Sequence, residues 1–170
     1  FEEVPEGGRG TNSTQNFIQA ITAFSKVEKY DPYHERVPQA WCMIGECALV
    51  IAAADTNRYS QAVANYQKTL AAPNADIAWR IRAKIGLANV AHKTGDNEGA
   101  LEHYRDILYG KIRRPGEELD SYYTWVAGRE AAELLVELGR RADAAALYER
   151  LADMLPRLKP LLQKRAAELR

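Results

Sequence analysis

Ala62-Val63-Ala64-Asn65-Tyr66-Gln67-Lys68-Thr69 sets a small residue, an aromatic four places on, and a β-branched residue three further along. On a helix these positions fall on one stripe. The small residue lets a neighbouring helix come close, and the aromatic fills the wider space one turn away. The pattern returns without a gap as Ala20, Phe24 and Val27, as Ala100, Tyr104 and Ile107, and as Ala144, Tyr148 and Leu151. Its starts lie 42, 38 and 44 residues apart. One such stripe is an ordinary amphipathic helix; four at near-regular intervals make an internal repeat.

Between these helices the sequence predicts others, so that helices come in pairs. Residues 37–54 carry Trp41, Ile44, Gly45 and Ala48 at i, i+3, i+4 and i+7. Residues 76–94 carry Leu87, Ala88 and Ala91, and residues 122–138 carry Ala131, Ala132 and Leu135. Asp31-Pro32, Ala72-Pro73 and Leu155-Pro156 end helices, while Gly95-Asp96 and Gly139-Arg140 are turns of the kind that join antiparallel helices. No segment sustains the period-two alternation of a strand. Residues 1–15 read as a flexible lead-in, and residues 109–120, with Lys111, Arg113 and Arg114, as a long basic connection. From Arg157 on, Leu158, Leu161, Leu162, Ala166 and Leu169 share one side of a terminal helix whose other side is basic, as a cap over the end of a helical array would be.

Composition narrows the function classes. The chain has 170 residues, 46% hydrophobic and 27% charged, with 23 Lys+Arg against 23 Asp+Glu. Such a chain folds, no apolar run reaches the ~20 residues of a membrane-spanning helix, and a net charge of zero predicts no nucleic-acid partner. The opening at Phe1, without a basic n-region or an apolar h-region, reads as a processed or excised fragment. Cys42 and Cys47, five apart on one predicted helix, are about 140° apart around its axis. That geometry suits neither a disulfide nor zinc, and reads as two small buried hydrophobes.

Trp41, Ile44 and Gly45, followed by Ala62, Tyr66 and Pro73, then Gly95, Ala100 and Tyr104, then Gly139, Ala144, Tyr148 and Pro156, resemble the tetratricopeptide repeat family. The resemblance covers residues 16–156. It implies an all-α, right-handed solenoid of antiparallel helix pairs (a helix A and a helix B in each), with a half repeat at 16–32 and repeats at about 37–74, 76–110 and 121–156. A capping helix follows at 157–170. Two departures stand out: the spacing exceeds the family's usual ~34 residues, and Lys84 and Gly128 align with Trp41. Phrases such as residues 40–47 are also similar to tetratricopeptide domains of bacterial envelope proteins, of the outer-membrane assembly lipoprotein and Tol–Pal coordinator types. That second likeness implies a periplasmic setting, with a cytoplasmic one as the alternative.

Catalysis needs a base, nucleophile or metal in a pocket. His34 lies in a predicted turn, His103 precedes Tyr104 on a helix, and neither has a His or Cys at i+3 or i+4 to share a metal. Gly7-Gly8-Arg9-Gly10 lacks the strand and the Lys-Ser/Thr ending of a phosphate loop. The expectation is a non-catalytic protein without cofactor or metal, monomeric or weakly oligomeric.

What remains is surface. The family resemblance places groove-facing residues at i, i+3, i+7 and i+10 of each helix A: Gln39, Cys42, Glu46 and Leu49, then Arg82, Ile85, Asn89 and His92, then Val126, Arg129, Glu133 and Val136. The polar members Gln39, Glu46, Arg82, Asn89, His92, Arg129 and Glu133 are the candidate contacts for a peptide or partner protein. Arg129 and Glu133, at i and i+4, also suit a pair along their own helix. The alternatives are a helical segment of a larger enzyme and an oligomerisation module. Tyr104→Ala is expected to cost ~3–5 kcal/mol, and Arg82→Ala, as a surface change, under ~0.5 kcal/mol.

Overall fold

The computed structural model describes residues 9–170, with side chains from residue 14 on. Among the described residues there are eight α-helices, one short 3-10 turn at Pro156–Leu158, and no strand. In order they are α1 (Arg9–Tyr30), α2 (Val37–Ile51), α3 (Arg58–Ala71), α4 (Ile77–Lys93), α5 (Asn97–Leu108), α6 (Ser121–Glu137), α7 (Arg141–Met154) and α8 (Lys159–Glu168). The all-α reading holds. In the numbering of helix pairs, α2, α4 and α6 are the A helices, and α1, α3, α5 and α7 the B helices.

One boundary differs. α1 begins at Arg9, so residues 9–15, expected as lead-in, are helical. Extending an existing helix adds a hydrogen bond per residue without a new nucleation step, and this overrides the weak propensity of Gly and Asn. The rest of that lead-in, residues 1–8, lies outside the described residues.

Contacts gather into two compact units, the first ending at Gly86 and the second being Leu87–Arg170. In the first unit α1 packs on α2 and α2 on α3. Pro38 sits in the opening turn of α2, where a missing N–H costs nothing. Its carbonyl lies 3.1 Å from the hydroxyl of fully buried Thr69 on α3. The Tyr66 ring is wedged between two glycines. A Cβ on Gly45 of α2 would come within 2.6 Å of the ring, and one on Gly86 of α4 within 2.2 Å. At both positions only glycine leaves room for the aromatic. One turn before Gly45, the Trp41 indole donates to Glu28 of α1 at 2.9 Å, and Lys68 of α3 lies 5.3 Å above its ring.

In the second unit α5, α6, α7 and α8 pack in sequence. Gly95 and Gly139, with φ of 89° and 75°, turn the chain from α4 to α5 and from α6 to α7. Asp96 N bonds Ala91 O at 2.8 Å across the first turn, and Arg140 N bonds Leu135 O at 2.8 Å across the second, closing both helix ends in the same way. Asp96 caps α5 through Gly99 N, and Asp120 caps α6 through Tyr122 N and Tyr123 N. The basic connection is tied down: Lys111 pairs with Asp106, Arg113 Nε donates to Glu117 O, and Arg114 N donates to the Glu117 carboxylate. α8 buries only Leu162 and Ala166, so its apolar stripe is narrower than expected; Leu161 is exposed.

The repeated stripe is buried to different depths. Ala62, Ala100 and Ala144 are each 0% exposed, and so are Thr69, Ile107 and Leu151. Ala20, Phe24 and Val27 on α1 are only half-buried.

Candidate binding face

The candidate contacts follow one helical line on each A helix. On α2, Gln39 and Glu46 are half-buried, while Cys42, expected to face a groove, is fully buried. Its Sγ lies 3.9 Å from Glu46 Oε1, and burial, with Glu46 beside it, pushes the thiol up to about 12. Ile85 on α4 is also buried. Both are corrections to the expected groove. Both stand at the second place of their line, and the small or apolar side chain there goes to the core.

The charged members are engaged with one another. In the first unit Arg82 grips Glu46 with two bonds, Nε to Oε1 at 3.0 Å and Nη2 to Oε2 at 2.7 Å. Its guanidinium also lies 4.4 Å above the Trp79 ring. Arg82 is therefore not a simple surface residue: the bidentate pair is about two-thirds withdrawn from water, and its loss is worth about 1 kcal/mol, more than the sequence suggested.

In the second unit Asn89 of α4 lies 2.9 Å from the Tyr104 hydroxyl, which is 3.0 Å from Glu130 Oε2 of α6. A phenol has one proton. It can donate to only one of Asn89 Oδ1 and Glu130 Oε2 at a time, and the carboxylate is the stronger acceptor. Burial holds Tyr104 in its neutral form, and Glu130 adds to that effect. His92 lies 3.4 Å from Glu137 of α6, and Arg129 makes two 2.8 Å bonds to Glu133 one turn on. The along-helix pairing allowed for Arg129 and Glu133 is thus present.

The line on α6 ends at a cleft of about 520 Å³ that α8 helps to enclose. Trp125, Val136 and Tyr148 supply its apolar wall, Leu161 of α8 and Leu169 just past its end continue it, and Arg129 and Arg165 also line it. Tyr148 faces α6 and α8 as Tyr104 faces α4 and α6. The terminal helix α8 packs on α7. Trp79, Trp125, Glu130, Glu137 and Arg165 were not foreseen. Trp79 and Trp125 sit one turn before Arg82 and Arg129, and that spacing was the available signal.

Among the described residues no group of three or more His, Cys, Asp or Glu side chains is arranged to hold a metal, and no helix is long and apolar enough to cross a membrane. No family model, curated protein or solved structure matches the chain.

Proposed function

We propose that this chain is a tetratricopeptide-like interaction module that binds an extended peptide or a helix of a partner protein along the face of α2, α4 and α6. The observation that carries the reading is the repeated use of one register. Positions 46, 82, 89, 92, 129 and 133 share one register on three helices, and each meets a polar partner. The paired charges, half-buried Gln39 in the first unit and the cleft beside Trp125 in the second supply hydrogen-bonding groups and an apolar foothold. The face is built on helices locked by a close-packed core, so little ordering is required on binding.

The test is selection of peptides from a displayed library on the intact chain, followed by calorimetry on the wild type and on Gln39→Ala, His92→Ala and Glu133→Ala. Those three side chains can be removed without opening the core. The reading expects selected peptides to lose about tenfold or more in affinity on these variants. Peptides indifferent to all three, or a selection that yields no binder, would overturn it. A concentration-dependent dimer in light scattering whose interface includes these residues would favour the oligomerisation module instead.

A further inference from the structure

A second cleft, of about 310 Å³, opens on the other side of α6, between α5 and α7. Its floor comes from Ala131 and Leu135 of α6, and each lies two residues beyond a member of the candidate line, Arg129 or Glu133. Two residues turn a helix by about 200°. The cleft therefore faces away from the proposed peptide face and is independent of it.

The walls are unlike the paired ridge. Leu101 and Leu108 of α5, with Leu147 of α7, continue the apolar floor. Three arginines stand around the rim, Arg105, Arg140 and Arg150, against one lining carboxylate, Asp143. Arg140 is committed to Asp143 and Glu98, at 2.8 Å each. Arg105 and Arg150 have no carboxylate partner among the described residues. Arg150 stacks 4.0 Å above the exposed Tyr109 ring, which orients the guanidinium while its N–H groups form no hydrogen bond among the described residues. An oriented, unpaired guanidinium next to apolar floor recognises a carboxylate beside an apolar side chain, and the volume matches the lower end of ligand-sized sites.

We propose that this cleft binds an acidic, apolar peptide segment of a partner protein, with carboxylates held by Arg105 and Arg150 and an apolar side chain on the Leu101, Leu108 and Leu135 floor. Both arginines are exposed, so changing them leaves the core intact. The probe is a fluorescein-labelled octapeptide alternating aspartate with leucine, followed by anisotropy on the full chain. One control replaces each aspartate by asparagine and another each leucine by serine.

The expected result is saturable binding below about 1 mM that weakens as salt is raised, with both control peptides weaker by about tenfold or more. Arg105→Gln with Arg150→Gln abolishes it, and so does Ala146→Trp, which fills the exposed mouth without altering charge. Glu133→Ala on the opposite face leaves it unchanged, so failure here is separable from failure of the peptide face. Absence of saturation, equal binding of either control, or indifference to both cleft variants would overturn the proposal. Preference for a single-stranded oligonucleotide over the peptide would overturn it too.

Discussion

In the first unit the Tyr66 ring is pressed between Gly45 and Gly86, and its buried hydroxyl has no hydrogen-bond partner among the described residues. In the second unit Tyr104 stands at the corresponding place in the repeat, and its hydroxyl meets Asn89 and Glu130. The residues around them correspond too: Glu46 with Asn89, Gly86 with Glu130, and Arg82 with Val126. Where the chain has Arg82, the carboxylate of Glu46 is drawn into an ion pair and the phenol goes without. Where it has Val126, the nearest arginine, Arg129, is 3.5 Å from Glu130 and bonds more closely to Glu133, and the phenol collects the polar groups of both flanking helices. One register thus supports two arrangements, and the choice turns on whether the nearby arginine is committed to the carboxylate beside the phenol, as Arg82 is to Glu46, or to another, as Arg129 is to Glu133.

That contrast can be broken at its root by truncating the aromatic. Tyr66→Ala and Tyr104→Ala should each cost ~3–5 kcal/mol in denaturant unfolding. Tyr66 should lie at the upper end, since neither flanking glycine has a side chain to relax into the space. Equal or smaller losses at Tyr66 would show that its wedge is not what holds α2 and α4 against α3. Gly86→Ala should cost ~1–3 kcal/mol, because a methyl group 2.2 Å from the ring forces Tyr66 towards Gly45 and outweighs the usual helix-propensity gain of alanine.

Alkali addresses both regions at once. Burial holds Tyr66, Tyr104 and Tyr148 neutral and raises Cys42 to about 12. Each folded-state value lies above its unfolded one, so the unfolded chain gives up protons first as pH rises. The stability these groups contribute is intact at neutral pH and declines from about pH 9 upward, past the ordinary thiol and phenol values. A thermal scan from neutral to alkaline pH should show Tm falling over that range; a Tm that holds steady there would contradict the assignment.

Subtler is the removal of a single oxygen. Tyr104→Phe should destabilise by about 1 kcal/mol, since it strands Glu130 and Asn89, whereas Tyr66→Phe should be neutral or stabilising by up to about 1 kcal/mol. Opposite signs at equivalent positions would be the sharpest support for the two arrangements. Smallest is Arg82→Ala, at about 1 kcal/mol or a little less. Coupling it with Tyr66→Phe in a double-mutant cycle shows whether Glu46, once released, turns to the phenol.

The helix pairs were legible because close approach at Ala62, Ala100 and Ala144 and bulk at Tyr66, Tyr104 and Tyr148 are demands on single positions, repeated at a readable interval. The glycine wedge was half legible. Gly45 belonged to the resemblance, whereas Gly86 has Glu130 as its counterpart and left no repeating trace. The Glu46–Arg82 pair joins residues 36 apart in sequence, and Cys42 and Ile85 lie on the same line as half-buried members. Which members of such a line turn inward depends on where the adjacent helices cross, and that is set by packing rather than by periodicity. The cleft between α5 and α7 gathers residues from three helices and the loop after α5, so no local pattern announces it.

The three tryptophans occupy three different settings: Trp41 bonded to Glu28 and overlain by Lys68, Trp79 beneath Arg82, and Trp125 at the wall of the cleft beside α8. Emission from an indole follows the polarity and mobility of its surroundings. A chain reduced to Trp125 alone, with phenylalanine at the other two, would therefore carry a built-in optical gauge for occupancy of that cleft, readable by titration without any attached dye.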